Sequence, residues 1–278
     1  MSIEDWALVS PGFDLIDTGT DGHVHTRLCG HAEGEIEDYV QAALKRGLAG
    51  IVFLEHFETA ISYFETTWLS PEDFRFYQQE LQRLQKKYEG RIAIGIGVEA
   101  GYNPEHPEKI RSFLNTFSWD RVGLSYHYLK LDSGRHVNMV SRKTSNIELL
   151  AEKGASRVVD EYLRGLLEAV KQIDADVVCH LDAVMRHHND AVFAQKNYDT
   201  VRDIFKIMIE KGMALEVNTS GFPQRGKPYP APEMLKMAMN MGIRLTPGSD
   251  AHNPCDVGRY FEKLPGLLRE IYSSSQFL

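Results

Sequence analysis

The chain has 278 residues, 43% of them hydrophobic, and its 39 acidic side chains outnumber 31 basic ones for a formal charge of −8. This composition excludes disordered, collagen-like and coiled-coil fibre chains, and the negative balance works against non-specific attraction to nucleic acid, which depends on Lys and Arg neutralising phosphates. No apolar run approaches the roughly 18 residues of a membrane span, and the start of the chain, with Glu4 and Asp5, lacks the basic residues of a signal peptide, so a cytoplasmic protein with neither membrane nor nucleic-acid partner is expected.

Without a linker, low-complexity tract or internal repeat, residues 1–278 read as one domain, with 1–20 an N-terminal extension leading into the first strand. Short apolar runs alternate with longer amphipathic ones, the pattern of βα units on a parallel sheet. The first strand is expected at residues 15–18. Residues 36–46 then place Ile36, Val40, Ala43 and Leu44 on one helical face and stop at Gly47, a left-handed C-cap. A strand at 50–54 precedes a helix opened by Ser70-Pro71-Glu72-Asp73, an N-cap serine followed by proline and first-turn acids, and closed by Gly90. Strands at 92–98 and 121–125 follow. The stretch 128–156 has no clear periodicity and is expected to be an irregular, substrate-covering loop. A helix at 157–172, a strand at 176–179, a helix at 198–211 stopped by Gly212, and strands at 213–217 and 243–246 complete the chain. Seven strands result.

Nearly every strand is followed by a residue able to bind metal: His23 and His25, then His56, Glu99, His127, His180, and finally Asp250 with His252. In a parallel αβ barrel these positions converge at the C-terminal mouth. His23 and His25 alternate, so their rings point to one side of an extended chain, and His31 lies just downstream. Cys29, Cys179 and Cys255 form no CxxC pair, which argues against a disulfide framework or a cysteine-rich zinc site; they are expected to be small buried side chains. Imidazole with carboxylate suits zinc, iron or manganese. Nine ligands exceed the needs of one ion, and three or four per metal implies two or three ions. Two ions about 3.5–4 Å apart can activate water for displacement at phosphorus, so phosphate-ester hydrolysis is the expected chemistry.

The segments Asp21-Gly22-His23-Val24-His25-Thr26, Cys29-Gly30-His31, Glu55-His56, Gly97-Val98-Glu99, Ser125-Tyr126-His127, Cys179-His180-Leu181-Asp182, Glu216-Val217-Asn218-Thr219-Ser220-Gly221 and Gly248-Ser249-Asp250-Ala251-His252 stand in that order. Together they make the chain resemble the polymerase-and-histidinol-phosphatase (PHP) family. The resemblance implies an α/β fold, a distorted (β/α)7 barrel with a trinuclear metal site at the C-terminal mouth of the strands. His23, His25, Glu99 and Asp250 would hold the first ion; Glu99 would bridge to a second with His127 and His180; His31, His56 and His252 would hold the third. Glu55 stands where the family usually carries Asp, a change that bears on ligand orientation.

Within the family, the Cys-Gly-His, His-x-Asp and Asn-Thr-Ser-Gly segments are most similar to monofunctional histidinol-phosphate phosphatases. This implies hydrolysis of L-histidinol phosphate to L-histidinol and phosphate, in histidine biosynthesis, by attack of a metal-bound hydroxide, with the general acid unassigned. Family members hold the phosphate with arginines after the fifth and sixth strands. Arg186 fits the first, while Arg225, two residues past Pro223, is displaced from the second. Asp182, Asn218 and Glu55 are candidates for orienting ligands or touching substrate; His106, His136, His187 and His188 are read as exposed loop residues, with the alternative that one faces the imidazole of the substrate. The alternatives are a family phosphoesterase acting on nucleotides or other small phosphoesters, and a noncatalytic metal-binding module. Oligomeric state does not follow from the sequence.

Overall fold

A computed structural model of the chain describes residues 15–184, 186–188 and 192–274; the first fourteen residues of the expected N-terminal extension lie outside them. In chain order come β1 (Thr20–Val24), helix α1 (Ile36–Lys45), β2 (Gly50–Phe57), α2 (Pro71–Lys87), β3 (Ala93–Gly101), α3 (Pro107–Leu114) and β4 (Arg121–Ser125). The short strands β5 (Tyr128–Lys130) and β6 (His136–Asn138) follow, then α4 (Thr144–Lys153), α5 (Ala155–Gln172), β7 (Val177–Val178), α6 (Gln195–Lys211), β8 (Ala214–Asn218), α7 (Phe222–Arg225), α8 (Pro232–Asn240), β9 (Leu245–Gly248) and α9 (Leu264–Ser273).

Seven strands form one parallel sheet in the order β1-β2-β3-β4-β7-β8-β9. Its two edges meet beyond the strand ends: the His25 N–H donates to the Ala251 carbonyl and the Asp250 N–H to the His23 carbonyl, each at 2.9 Å. The sheet thereby closes into a seven-stranded barrel at its C-terminal rim. Every strand points the same way, so all strand-end residues share one mouth.

Two cores hold it. Helices pack on the outside through side chains such as Tyr39, Phe53, Phe74, Leu81 and Phe205, whereas Val52, Leu54, Val177, Cys179 and Ala214 fill the barrel interior as a separate cluster. The interior is narrow. A Cβ on Gly97 would stand 2.4 Å from Leu54 Cδ2 and 2.6 Å from the Arg121 carbonyl, so only glycine fits there.

The helix signals behave as the sequence implies. Ser70 Oγ accepts from the Asp73 N–H at 3.2 Å while Asp73 Oδ2 accepts from the Ser70 N–H at 2.9 Å, a reciprocal capping box ahead of Pro71. Gly47 and Gly212 take φ of +74° and +70° beyond α1 and α6.

The first strand is displaced from expectation: β1 covers Thr20–Val24, not residues 15–18. Thr20–Val24 looks polar because Asp21 and His23 are buried there, and a register shift between Asp21 and Val24 breaks strict alternation. Asp21 has the task of joining β1 to the last loops, accepting from the Ser249 N–H at 2.9 Å and the Gly258 N–H at 2.7 Å. β2 and β3 run past their expected ends, so His56 and Glu99 lie within strands rather than after them.

The stretch 128–156 is not irregular: it contains the antiparallel β5–β6 hairpin, paired Leu129 to Val137, and α4. His136 is buried rather than exposed, because its Nδ1 accepts from the Ser62 N–H at 3.0 Å and ties the hairpin to the loop after β2. Cys29 and Cys179 are buried, and burial pushes the Cys29 thiol up to about 12; Cys255 is exposed. Among the described residues no helix is long and apolar enough to cross a membrane.

Candidate metal centre

Glu99, near the end of β3 and 1% exposed, stands at the middle of the mouth with its two oxygens facing different sets of imidazoles. On one side Glu99 Oε2 lies 3.6 Å from His23 Nε2 and 3.7 Å from His25 Nε2. Those two nitrogens are 2.9 Å apart, and Asp250 Oδ1 is 3.9 Å from the first and 3.3 Å from the second. Ligands about 2.1 Å from a tetrahedral ion are about 3.4 Å from one another. These separations of 2.9 to 3.9 Å scatter around that edge length. On the other side, Glu99 Oε1 is 2.8 Å from His180 Nε2 and 3.3 Å from His127 Nε2.

A further group of rings lies nearer the solvent. His31 and His252 have centroids 4.6 Å apart, and His56 stacks on His25 at 4.1 Å. His31 Nδ1–H donates to the Cys29 carbonyl at 3.1 Å and His252 Nδ1–H to the Asp250 carbonyl at 3.0 Å, a tautomer that leaves each Nε2 as a lone pair. His252 Nε2 is buried with no hydrogen-bond partner among the described residues. All nine expected ligands thus converge on one mouth, although His56 also turns its Nδ1 to Glu99 Oε2 at 2.7 Å.

The backbone is strained where the cluster needs it. His180 and Asp250 adopt φ of +26° and +50°, conformations that non-glycine residues rarely take and that a functional site holds in place.

Carboxylates stand behind the rings. Glu216 Oε1 is 2.6 Å from His23 Nδ1, and its Oε2 accepts from the His180 N–H at 2.8 Å and Asn218 Nδ2 at 3.0 Å. Gly248 makes room for it, since a Cβ there would lie 2.0 Å from Glu216 Oε1. Glu58 Oε1 is 2.8 Å from His127 Nδ1. Glu55 Oε1 accepts from the Thr26 N–H at 2.7 Å and from the Thr26 hydroxyl, which holds the first loop, while its Oε2 is 3.8 Å from His25 Nδ1. A histidine whose far nitrogen faces a carboxylate is fixed in orientation and made more basic, as ligand histidines are.

Charge divides accordingly. Burial alone would raise the Glu99 carboxyl, but His127, His56 and His23 hold it well below the usual range; burial and then a hydrogen bond from His25 compete at Asp250, with the same result. Burial, followed by the charge of His25, drives His56 and His252 well below their ordinary value. At His23, His25 and His127 burial is outweighed by Glu216, Asp250 and Glu99 respectively, which raise all three, so a cation binding here competes with protons on those rings.

Above the cluster opens a cavity of about 450 Å³, walled on one side by the hairpin segment and on the other by the loops after β7 and β8. Arg186 lines it, anchored by donation from Nε to the Val140 carbonyl at 3.0 Å. Arg225 does not. Its Nη1 and Nη2 each donate to Asp182 at 3.0 Å, and its guanidinium covers the Tyr229 ring at 3.8 Å. Arg225, expected at the substrate phosphate, is paired here with the buried carboxylate of Asp182, which also accepts from the Ala231 N–H at 2.9 Å. Asn218 accepts from the Ser220 hydroxyl at 2.6 Å and braces the loop after β8. Glu58, Arg142 and Arg259 line the cavity and were not expected there. Glu58 was readable, since its i+2 spacing from His56 at the end of a strand puts both on one face; Arg142 and Arg259 come from loops and carry no periodic signal.

The unpartnered His252 Nε2 and the near-tetrahedral spacing of the His23, His25, Glu99 and Asp250 donors fit divalent cations. Seven parallel strands around such a mouth define a barrel hydrolase that depends on divalent metal. The chain belongs to the PHP domain family, whose pattern matches residues 21–220. It is 30% identical over 261 residues to the histidinol-phosphatase of Bacillus subtilis strain 168, an alignment covering 87% of this chain and 96% of that protein. A crystal structure from Listeria monocytogenes superimposes with a TM-score of 0.79 at 21% identity, covering 88% of this chain and 99% of the other. The histidinol phosphate phosphatase of Lactococcus lactis, solved with zinc, L-histidinol and phosphate, gives 0.67 at 22%, covering 93% and 94%.

Proposed function

We propose that this chain is a cytoplasmic phosphomonoesterase that hydrolyses L-histidinol phosphate to L-histidinol and phosphate in histidine biosynthesis. The observation that carries the reading is Glu99, whose two oxygens face separate imidazole sets 2.7 to 3.7 Å away, the arrangement of a carboxylate that bridges two cations. His23, His25, Glu99 and Asp250 would hold one ion, Glu99, His127 and His180 a second, and His31, His56 and His252 a third, drawn from zinc, iron or manganese. Bound there, such ions neutralise phosphoryl oxygens and supply an activated water.

The protein's own groups do the rest. Arg186 reaches the phosphate from the cavity wall, where its planar guanidinium suits two phosphoryl oxygens. Glu216 and Glu58 hold the rings of His23 and His127 in place, and the cavity is large enough for a small phosphoester but not for a folded nucleic acid. The similarity to the Bacillus subtilis histidinol-phosphatase over most of both chains supports the substrate.

Phosphate release from L-histidinol phosphate, p-nitrophenyl phosphate and several nucleoside monophosphates tests this, with Zn, Fe and Mn assayed in the same preparation. Preference for L-histidinol phosphate with two or three metals per chain is expected. Metal-loaded protein that prefers a nucleotide would overturn the substrate and leave the centre standing, and metal-loaded protein inert to the whole panel would favour a noncatalytic module.

A further inference from the structure

Four carboxylates reach the lining of the cavity: Glu58, Glu65, Asp250 and Asp256. Three have partners that explain them. Glu65 pairs with Lys143, Asp256 with Arg259 at 3.0 Å, and Asp250 with His25 at 3.3 Å.

Glu58 is different. Its side chain is 3% exposed, and Oε1 is committed to His127 Nδ1 at 2.8 Å. Oε2 is buried with no hydrogen-bond partner among the described residues. The carboxylate lies in the space left by the missing side chain of Gly101, where a Cβ would stand 2.0 to 2.2 Å from its atoms. Holding His127 needs one oxygen. A second oxygen, buried without a partner in a residue that lines the ligand cavity, is costly unless a donor arrives to meet it.

Resting on the reading of this cavity as the L-histidinol phosphate site, we propose that Glu58 is a specificity-determining residue whose Oε2 receives the ammonium group of the substrate's alcohol moiety. The substrate is an anion at one end and a cation at the other. Its phosphate is drawn to the metal centre and Arg186, its ammonium to Glu58, and the two charges fix its direction in the cavity. Phosphoesters without an amine leave Glu58 Oε2 unmet and bind less well, which separates this substrate from other small phosphates.

Glu58→Gln tests the proposal, because the amide oxygen still accepts from His127 while the charge is removed. The comparison is kcat/KM on L-histidinol phosphate against an imidazole-bearing phosphate ester that lacks the amine, with metal content measured alongside. The ratio is expected to fall about ten- to a hundredfold, through KM, with metal retained. Gly101→Ala, which must displace the carboxylate while keeping its charge, is expected to lower the same ratio. Equal losses on both esters, an unchanged ratio, or loss of metal from Glu58→Gln would each overturn the proposal and leave Glu58 serving His127 alone. Wild-type activity separates the two levels: if the wild-type protein prefers the amine-free ester, the substrate reading and this inference fall together, whereas an unchanged ratio in a wild-type histidinol-phosphate specialist removes only the role of Glu58.

Discussion

At the floor of the barrel Arg121 reaches across from β4, its Nη1 donating to the Gly22 carbonyl at 3.2 Å and to Thr246 Oγ1 at 3.4 Å, so close that a Cβ on Gly22 would stand 2.1 Å from it. At the mouth of the same strands, His252 Nε2 and Glu58 Oε2 are buried with no partner among the described residues. Both regions are polar and enclosed. The floor matches its donors to acceptors within the chain and so contributes stability, whereas the mouth gathers acceptors against acceptors and keeps their free energy for what binds there.

Removing Glu99 is the strongest way to test that contrast. Glu99→Ala should abolish turnover by roughly three orders of magnitude or more and release metal, since one carboxylate serves two imidazole sets. Calorimetry on stripped protein should find the variant melting no lower than wild type; a variant that unfolds would put Glu99 with the floor. Arg121→Ala should do the reverse, costing about 2–4 kcal/mol in denaturant melts while metal per folded chain is unchanged.

The two arginines give a finer version of the same test. Arg186→Ala should raise KM about ten- to a hundredfold with little change in melting temperature. Arg225→Ala should instead cost about 2 kcal/mol, because it leaves Asp182 buried and unpaired, and steady-state kinetics on the folded fraction should find KM little altered. A large KM effect at Arg225 would restore it to the phosphate site.

Glu37, on α1 and away from both ends, sets the lower limit. The Lys87 ammonium at 2.5 Å, the Tyr88 hydroxyl at 2.6 Å and Arg83 hold its carboxyl down to about 2, from 4.5. A depressed folded value means stability present above 4.5 and lost as pH falls through about 2. Half-exposed pairs are screened, so Glu37→Gln should cost less than about 1 kcal/mol at neutral pH. Thermal melts of both proteins from pH 7 to 2 should converge as acid is added; a gap that widened instead would reverse the sign.

Much of this was legible in the linear order of residues. Alternating runs count the seven sheet strands, the Ser70–Asp73 cap and the glycines after α1 and α6 mark helix ends, and nine ligands announce themselves as imidazole and carboxylate types that recur at or near strand ends. What misled was context. Thr20–Val24 reads as a loop because a strand lining a polar mouth buries Asp21 and His23 where a strand elsewhere would bury valines. The hairpin at β5 and β6 has too few residues for a periodic signal, and the pairing of Arg225 with Asp182, forty-three positions away, leaves no local mark.

The sequence by itself determined the strand count and the chemical type of the site, because periodicity and residue chemistry are local properties that survive without neighbours, and its family resemblance implied the barrel. Only the tertiary structure decided which residues serve one another: Glu216 behind His23, Glu58 behind His127, Asp182 claiming Arg225, Arg186 left to face the cavity. Pairing over such separations depends on which buried group most needs a partner when the strands close, and that need arises only once water has been excluded.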